Sequence, residues 1–195
     1  MNDSRLTLAI LSALATSVTL ACENIPLLPH WDADWNVPLP SQSIGVPFAG
    51  IVPAGTSATM SSVPQRQSLD GSIGSILDQS LSNAALVVVL SKTLPVSTDD
   101  TVFVAADSAS LTNVSATRIV VPVTLTASDL TPVTDTFTIA TPGLTMLQTV
   151  AKAKGSLWVQ LRGRVTYAGP GTLTVAPGDS IHVRLSLLAT IAVSK

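Results

Sequence analysis

The sequence predicts a mainly β protein, either an antiparallel β-sandwich or a half-open barrel, with two short helices. Val, Leu, Ile and Thr are abundant while charged residues make up only 11% of the chain, and this composition favours strands. Several segments alternate apolar and polar residues with the period of two that a half-buried strand requires. Turn sequences such as Gly169-Pro170-Gly171 separate these segments, as expected between consecutive strands.

The first predicted strand covers Trp31–Leu39, where apolar residues alternate with acidic and amide side chains. A second extended piece, Ile44–Val52, contains Pro47. It is predicted to lie at a sheet edge, because proline has no backbone N–H to donate. Residues 53–68 are rich in Ser, Thr, Pro and Gly, which predicts a loop.

A short helix is predicted next, with an apolar side formed by Ile73, Ile76, Leu77 and Leu81. Ala84–Leu90 is an unbroken apolar run, which predicts a strand buried on both faces. Thr101–Ala106 is predicted to be the following strand. The adjacent carboxylates Asp99 and Asp100 are expected in a solvated turn between these two strands.

The second half of the chain alternates more clearly. Arg118–Ala127 is predicted to be a strand whose inward residues are Ile119, Val121, Val123 and Leu125. Thr134–Ala140 is predicted to be another strand. Leu157–Tyr167 is predicted to be a long strand with alternate apolar residues on one face.

The second helix is predicted between these last two strands. Thr141-Pro142 has the pattern of an N-cap followed by proline at the first helical position, and Gly155 is the predicted C-terminal stop. The chain then continues with Thr172–Ala176 and Ser180–Val193. These segments are predicted to pair as a hairpin around Pro177-Gly178-Asp179.

An apolar leader precedes the predicted strands. Leu6–Ala21 carries no charge, and an apolar stretch of about 15 residues is shorter than the roughly 20 that a membrane-spanning helix needs. Its length and composition are typical of the apolar region of a secretory signal peptide. The leader ends at Cys22, the only cysteine of the chain, so no disulfide within the chain is predicted.

The residues Thr19-Leu20-Ala21-Cys22 resemble the lipobox of a bacterial lipoprotein signal peptide, with the leucine one place later than in the commonest form. The resemblance covers only the first 22 residues. It implies cleavage before Cys22, acylation of the cysteine with chains such as palmitate, and membrane lipid as a partner. It also implies an outer-membrane location, because Glu23 stands where an aspartate would favour the inner membrane.

These observations divide the chain into a signal peptide over residues 1–21, a lipid-bearing tether over residues 22–30 and a single β-rich domain over residues 31–195. A weak duplication within the domain would relate residues 70–108 to residues 141–179. When the chain is moved by 71 positions, Ser82–Ser108 aligns with Ala153–Asp179 and shows six identities in 27 positions. Cleavage after Ala21 without acylation is the alternative for the leader.

Side chains suited to catalysis are scarce. The chain has two histidines, its one glutamate is Glu23, and no serine-hydrolase or zinc-protease motif occurs. We therefore predict no enzymatic activity, no cofactor and no metal site. The net charge of −2 also argues against nucleic acid as a partner.

The candidate ligand-binding residues are Arg162, Arg164, His182 and Arg184. The two arginines of the Leu157–Tyr167 strand share its polar face with Trp158 and Gln160. If that strand pairs with the last strand, the four residues form one basic strip that binds phosphate or carboxylate groups of a lipid or glycan. The alternative is the solvated side of a sheet.

The sequence thus predicts a non-enzymatic lipoprotein of the bacterial envelope with a structural or binding role. Its expected partners are membrane lipid through Cys22 and an envelope protein. One alternative is a carrier that binds an apolar or lipid ligand in a cavity between sheet and helices. Another is a plain secreted or periplasmic β-sandwich protein without an anchor.

Overall fold

Two antiparallel sheets packed face to face form the protein's core, so the predicted β-sandwich is confirmed. The computed structural model describes residues 31–69 and 81–193. Within them one helix, α1, covers Thr141–Lys152. The strands of the described residues are β1 (Trp31–Gly45), β2 (Gly50–Pro53), β3 (Thr56–Ser61), β4 (Gln65–Ser68), β5 (Leu81–Lys92), β6 (Ser97–Ala105), β7 (Arg118–Leu125), β8 (Val133–Thr138), β9 (Ser156–Tyr167), β10 (Thr172–Val175) and β11 (Ser180–Val193).

The strand order is that of a jelly roll. The first sheet has the order β1-β11-β5-β8, and the second has the order β3-β9-β6-β7 with β4 also paired to β9. The pair β2–β10 extends β3–β9 across a short interruption, since the Gly55 N–H donates to the Tyr167 carbonyl and the Ala54 N–H to that of Gly171. The segments β2, β3 and β4 together form one interrupted strand, and β9 and β10 form another. Counted in this way, each sheet has four strands, as in a double-sheet jelly roll.

Apolar residues at alternate positions of the strands form the core. In β7 buried residues alternate with exposed ones as predicted, and the buried set is Ile119, Val121, Val123 and Leu125. The apolar residues of β9 are buried in the same way. In β5 alternate residues from Ala84 to Leu90 are fully buried, whereas Val87 and Val89 are only half-buried. The prediction of burial on both faces of this strand is therefore correct for one face only.

Prolines lie in outer strands of both sheets. β1 contains Pro38 and Pro40 and is an outer strand of the first sheet, and β7 contains Pro122 and is an outer strand of the second. An outer strand tolerates proline because the N–H on its free side has no strand to bond. The predicted piece Ile44–Val52 is divided between the end of β1 and the start of β2, with Pro47 in the break.

Two predictions about strand pairing are wrong. Residues 53–68 are not one loop, because β3 and β4 lie within them and both pair with β9. Their polar composition hides the strands, since a long-range partner supplies the backbone hydrogen bonds that local propensity does not predict. The last two strands form no hairpin with each other: β10 pairs with β2, and β11 pairs with β5.

Helix α1 begins and ends close to its predicted bounds, with different capping residues. Ala140 is the N-cap and makes no side-chain capping bond, and Pro142 lies in the first turn. At the C-terminal end Lys154 has a φ of 48°, so it and not Gly155 takes the left-handed conformation. Leu147 and Val150 of the helix are buried in the core.

The predicted helix over residues 73–81 falls outside the described residues except for Leu81, which begins β5. The leader, Cys22 and the tether also lie outside them, and the duplication stays a prediction. Among the residues that the structure describes, no helix has the length and hydropathy to cross a membrane.

Candidate anion-binding face

The second sheet carries basic and aromatic side chains on the side that points away from the core. Cross-strand register aligns Arg66, Trp158, Ala105 and Arg118 in one row across β4, β9, β6 and β7. Residues directly opposite each other in antiparallel strands share a side of the sheet. This row therefore brings together two arginines that are 52 positions apart in the chain.

Further rows extend this side of the sheet. They pair Gln160 with Phe103, Arg162 with Thr101, and Arg164 with Asp99. Because side chains alternate along a strand, these residues lie on the same side as Trp158. We define the arginine face as Arg66, Phe103, Arg118, Trp158, Arg162 and Arg164.

Hydrogen bonds hold Arg162 in place. Its Nε and Nη2 donate to Oε1 of Gln160 at 3.0 and 2.7 Å. The Gln160 amide is itself fixed, because Nε2 donates to the Ser62 carbonyl at 2.9 Å and contacts Ser61 Oγ at 3.1 Å. Gln160 is buried, so the guanidinium is anchored on its inner side, and its other N–H groups make no hydrogen bond with the described residues.

The other arginines of the face are also oriented. Arg118 donates from Nη1 to the Leu111 carbonyl at 2.7 Å, and Arg66 donates from Nε to Ser156 Oγ at 2.8 Å. The Cζ atoms of Arg118 and Arg162 lie 4.8 and 5.6 Å from the centroid of the Phe103 ring. Both distances fall within the range of a cation–π interaction. The face therefore holds its cations at defined positions.

Charge is unevenly distributed over the protein. Four of the ten Lys and Arg residues belong to the arginine face, although the whole chain has a net charge of −2. In the paired rows described above, Asp99 opposite Arg164 is the one acidic residue on this side. A concentrated positive surface on an acidic protein attracts anions locally.

The predicted basic strip of four residues is wrong. Arg162 and Arg164 lie in β9 of the second sheet, whereas His182 and Arg184 lie in β11 of the first sheet. His182 and Arg184 are exposed on the outer side of the first sheet, and His182 Nε2 lies 2.8 Å from Ser180 Oγ. The prediction assumed that β9 and β11 pair, but β11 pairs with β5.

Sequence reasoning missed Arg66, Arg118 and Phe103. Arg66 lies in a strand without apolar alternation, so it had no predicted face. Alternation in the predicted strand Arg118–Ala127 puts Arg118 on the outward side, but it does not connect Arg118 to Arg162. The alternation of β6 could have placed Phe103 opposite the buried residues of that strand. Only the register connects these residues to Arg162.

Asp100 lies on the core side of the same sheet, beneath the arginine face. Both Asp99 and Asp100 are within β6, so their predicted position in a turn is wrong. Asp99 is exposed as predicted, whereas Asp100 is 0% exposed. Its partner in register is Gly163. A Cβ at that position would lie 1.9 Å from Asp100 Oδ1, so the missing side chain makes room for the carboxyl group.

Burial raises the pKa of Asp100 to about 7, because loss of water disfavours the charged form. The Thr98 hydroxyl lowers this pKa and the charge of Asp99 raises it, both less strongly. Within the described residues, neither carboxyl oxygen makes a hydrogen bond of ordinary geometry, and nor does Thr98 Oγ1. A buried polar group without a partner costs roughly 1–3 kcal/mol, so Asp100 weakens the core.

Lys92 is a second buried ionisable group, and the fold uses it fully. It is 6% exposed at the end of β5, and Nζ donates to the carbonyls of Val96 and Thr126 at 2.6 and 2.5 Å. Burial lowers the pKa of Lys92, and the nearby charge of Asp129 opposes that effect. Because its donors bond to two backbone carbonyls, Lys92 serves the structure and not a ligand.

Two open grooves flank α1. The larger has a volume of about 550 Å³ and is lined by residues that include Pro142, Met146 and Val150. The smaller, of about 360 Å³, lies between β7, β8 and the start of the helix. Among the described residues, the space between the sheets is filled by a continuous cluster of buried apolar side chains. Among the described residues, these grooves are the candidate sites for a bound apolar molecule.

The described residues contain no group of three or more His, Cys, Asp or Glu side chains that could hold a metal ion. No protein-family model matches the chain, and no curated protein matches it. The protein is a β-sandwich with jelly-roll strand order, and this class follows from its own strand pairing.

Two viral structures illustrate the similarity to solved proteins. A chain of infectious bursal disease virus, Gx strain, has a TM-score of 0.35 and 14% identity; the similarity covers 83% of this chain and 32% of that one. This chain thus spans about a third of the length of that relative. A chain of Desmodium yellow mottle tymovirus has a TM-score of 0.30 and 12% identity, covering 86% of this chain and 90% of that one. At these scores neither structure carries an argument about function.

Proposed function

We propose that this protein is a non-enzymatic lipoprotein of the bacterial envelope that binds an anionic partner through the arginine face. Lipid on Cys22 would hold it on the membrane, and the outer membrane is the proposed location. The β-sandwich would serve as a rigid support for the binding surface. The single observation that carries the binding role is the convergence of four arginines on one side of one sheet.

The geometry supports anion binding in particular. A guanidinium offers a planar set of N–H donors that matches carboxylate and phosphate groups. Arg118 and Arg162 are already oriented by hydrogen bonds and by Phe103, so less side-chain entropy is lost when a ligand binds. Arg164 is exposed beside them. Together these residues present several outward donors without a buried catalytic group among them.

The membrane anchor rests on the leader sequence. Cys22 is the only cysteine of the chain and follows the apolar segment Leu6–Ala21. Two or more acyl chains hold a protein stably on a bilayer, since each buried methylene contributes about 0.8 kcal/mol. A plain secreted protein is the alternative, and the acylation state of Cys22 distinguishes the two.

For the anchor, we expect the protein from bacterial membranes to carry acyl chains on Cys22, and Cys22→Ala to remove both the added mass and membrane retention. Mass spectrometry of protein purified from native membranes measures the acylation. An unmodified thiol in protein from the soluble fraction would overturn the anchor. A co-purified apolar molecule that is not covalently attached would instead favour the carrier, with the 550 Å³ groove as its site.

For the binding role, we expect the full-length protein to bind inorganic polyphosphate, with an affinity that falls as salt rises. Arg162→Ala combined with Arg164→Ala is expected to weaken binding about tenfold, because each lost charge-assisted bond contributes more than a neutral one. Fluorescence anisotropy with labelled polyphosphate measures this change. Arg184→Ala is the matched control, since Arg184 is an exposed arginine on the other sheet. Equal losses in both variants would contradict a localised binding face.

A further inference from the structure

We infer that the ligand of the arginine face is an acidic polysaccharide, a chain of sugar rings bearing carboxylate groups. This inference rests on the proposed anion-binding function and specifies its ligand. It is argued from the aromatic rings between the arginines, from the hydroxyl side chains beside them and from the position of the cations on paired strands.

Aromatic rings lie between the cations. Trp158 is half-buried and is the direct neighbour of Arg66 across β4 and β9. Phe103 is half-buried between Arg118 and Arg162. An aromatic ring that keeps one part in contact with the sheet and another open to solvent offers an apolar surface for the C–H face of a sugar. An inorganic anion would make no use of these rings.

Hydroxyl side chains lie beside Arg162 and Arg164. Ser61 and Thr101 are the register partners of Arg162 on either side, and Thr59 is the partner of Arg164 on β3. These side chains can donate and accept hydrogen bonds, which is what sugar hydroxyl groups require. Guanidinium groups in the same rows would bind the carboxylates.

The composition of the face argues against a lipid bilayer as its occupant. A membrane-binding surface inserts apolar side chains into the headgroup region. Of the large apolar residues that are clearly exposed in the described chain, only Val120 lies in the rows of the arginine face, whereas Ile51, Val63, Val114 and Leu130 lie elsewhere. Apart from Val120, the large apolar side chains of the face are the half-buried rings of Phe103 and Trp158, which lie among the arginines.

The position of the face argues against an acidic peptide or a small molecule. A peptide commonly binds by adding a strand to a free sheet edge, whereas Arg162 and Arg164 lie on β9, which is paired on both sides. A small molecule usually binds in a concave pocket. Arg118 lines the smaller groove, whereas Arg162 and Arg164 line neither of the two described grooves. A sheet surface with cations in successive rows suits an extended chain with repeated charges.

The test uses the full-length protein with Cys22→Ala, free of detergent, so that no acyl chain can insert into a vesicle, and it uses four polymers or surfaces as probes. These are polygalacturonate, fully methyl-esterified polygalacturonate, poly-L-glutamate and phosphatidylglycerol vesicles. We expect polygalacturonate to bind at least about tenfold more tightly than the esterified polymer, which has the same rings without charge, and than polyglutamate, which has the charge without rings. Isothermal titration calorimetry measures all four.

Trp158→Leu separates ring stacking from charge. The substitution keeps an apolar side chain of moderate size, and we expect it to weaken polygalacturonate binding about tenfold and polyphosphate binding much less than that. Arg184→Ala is again the control for charge. Unfolding temperatures of each variant show whether it is folded, and Trp158→Phe, which retains a ring, should restore most of the binding.

Three results would overturn the inference. Equal binding of polygalacturonate and polyglutamate would assign the face to acidic peptides, and stronger binding to the vesicles would assign it to the membrane surface. Equal loss of polyphosphate and polygalacturonate binding in Trp158→Leu would remove the role of the ring. In each case binding of polyphosphate through Arg162 and Arg164 would still support the proposed function. Failure of the polysaccharide inference can therefore be distinguished from failure of the proposed anion binding.

Discussion

Gly163→Ala is expected to destabilise the protein by about 3 kcal/mol or more, which is at the upper end of the usual cost of overpacking. The added Cβ would lie 1.9 Å from Asp100 Oδ1, 2.6 Å from the Asp99 carbonyl oxygen and 2.8 Å from Asp100 Cα. The first contact could be relieved by rotation of a side chain. The other two involve the backbone of the paired strand β6, so the two central strands of the second sheet would have to separate.

Thermal and urea unfolding of Gly163→Ala and the wild type measure this effect, and we expect a fall in Tm of about 10 °C for a domain of this size. Gly45→Ala is the matched control. An added Cβ at Gly45 would meet nothing within 4 Å, so the change in unfolding free energy should stay within about 0.5 kcal/mol. Combining Gly163→Ala with Asp100→Ala should recover only part of the loss, because the backbone contact remains. A loss below about 1 kcal/mol in Gly163→Ala would show that the strands adjust without cost.

Asp100→Asn is expected to remove a pH dependence of stability. The pKa of Asp100 is about 7 in the folded protein, against its ordinary value of 3.8. Between these two pH values the folded state binds more protons than the unfolded state, so the free energy of unfolding falls as pH rises. The full effect of the shift is about 4 kcal/mol, since each pKa unit corresponds to about 1.4 kcal/mol. Asparagine does not ionise, so the variant lacks this contribution.

Urea unfolding between pH 4 and pH 8 measures the difference between the variant and the wild type. We expect Asp100→Asn to gain stability relative to the wild type as pH rises through this range and to change little below pH 4. Asp99→Asn is the control, because Asp99 is the adjacent carboxylate on the exposed side of the same strand; its charge raises the pKa of Asp100 less strongly than burial does, so this variant should keep most of the pH dependence. A pH profile in Asp100→Asn that is parallel to that of the wild type would mean that Asp100 titrates normally.

Hydrogen-bonded carboxylates elsewhere have the opposite effect, because they make the free energy of unfolding rise with pH. The effect of Asp100 is therefore measured as the difference in unfolding free energy between Asp100→Asn and the wild type. Hydrogen bonds from Ser110 lower the pKa of Asp107, and those from Thr126 lower the pKa of Asp129. Groups of this kind add stability that is lost as pH falls through their folded pKa. They affect the wild type and Asp100→Asn equally, so they cancel in the difference.

Local patterns predicted the strands that have an apolar face. Alternation in the segment that contains Ile119 and in the one that contains Leu157 was enough, because a strand with one buried side must place apolar residues at every second position. The same reasoning failed for β3 and β4. Most of their side chains are exposed or half-buried, so no apolar period marks them, and they exist because β9 supplies their hydrogen-bond partners.

The binding face could be predicted only in part. Arg162 and Arg164 are two positions apart, so alternation alone puts them on one side of a strand. Their grouping with Arg66 and Arg118 depends on pairing between segments far apart in sequence, and the incorrect grouping with Arg184 came from assuming the wrong pair of strands. Asp100 was misplaced for a related reason, since an acidic pair between two apolar segments has the local pattern of an exposed turn.

By itself, the sequence determined that this is a strand-rich protein with few groups suited to catalysis, that its clearest strands place specified apolar residues inward, and that its one cysteine follows an apolar segment. These properties depend on composition and on neighbours along the chain. Only the tertiary structure decided which strands are adjacent, and therefore that four arginines share one side of a sheet and that a carboxyl group is enclosed opposite Gly163. Strand register is set by packing between distant segments, and a local pattern contains no record of it.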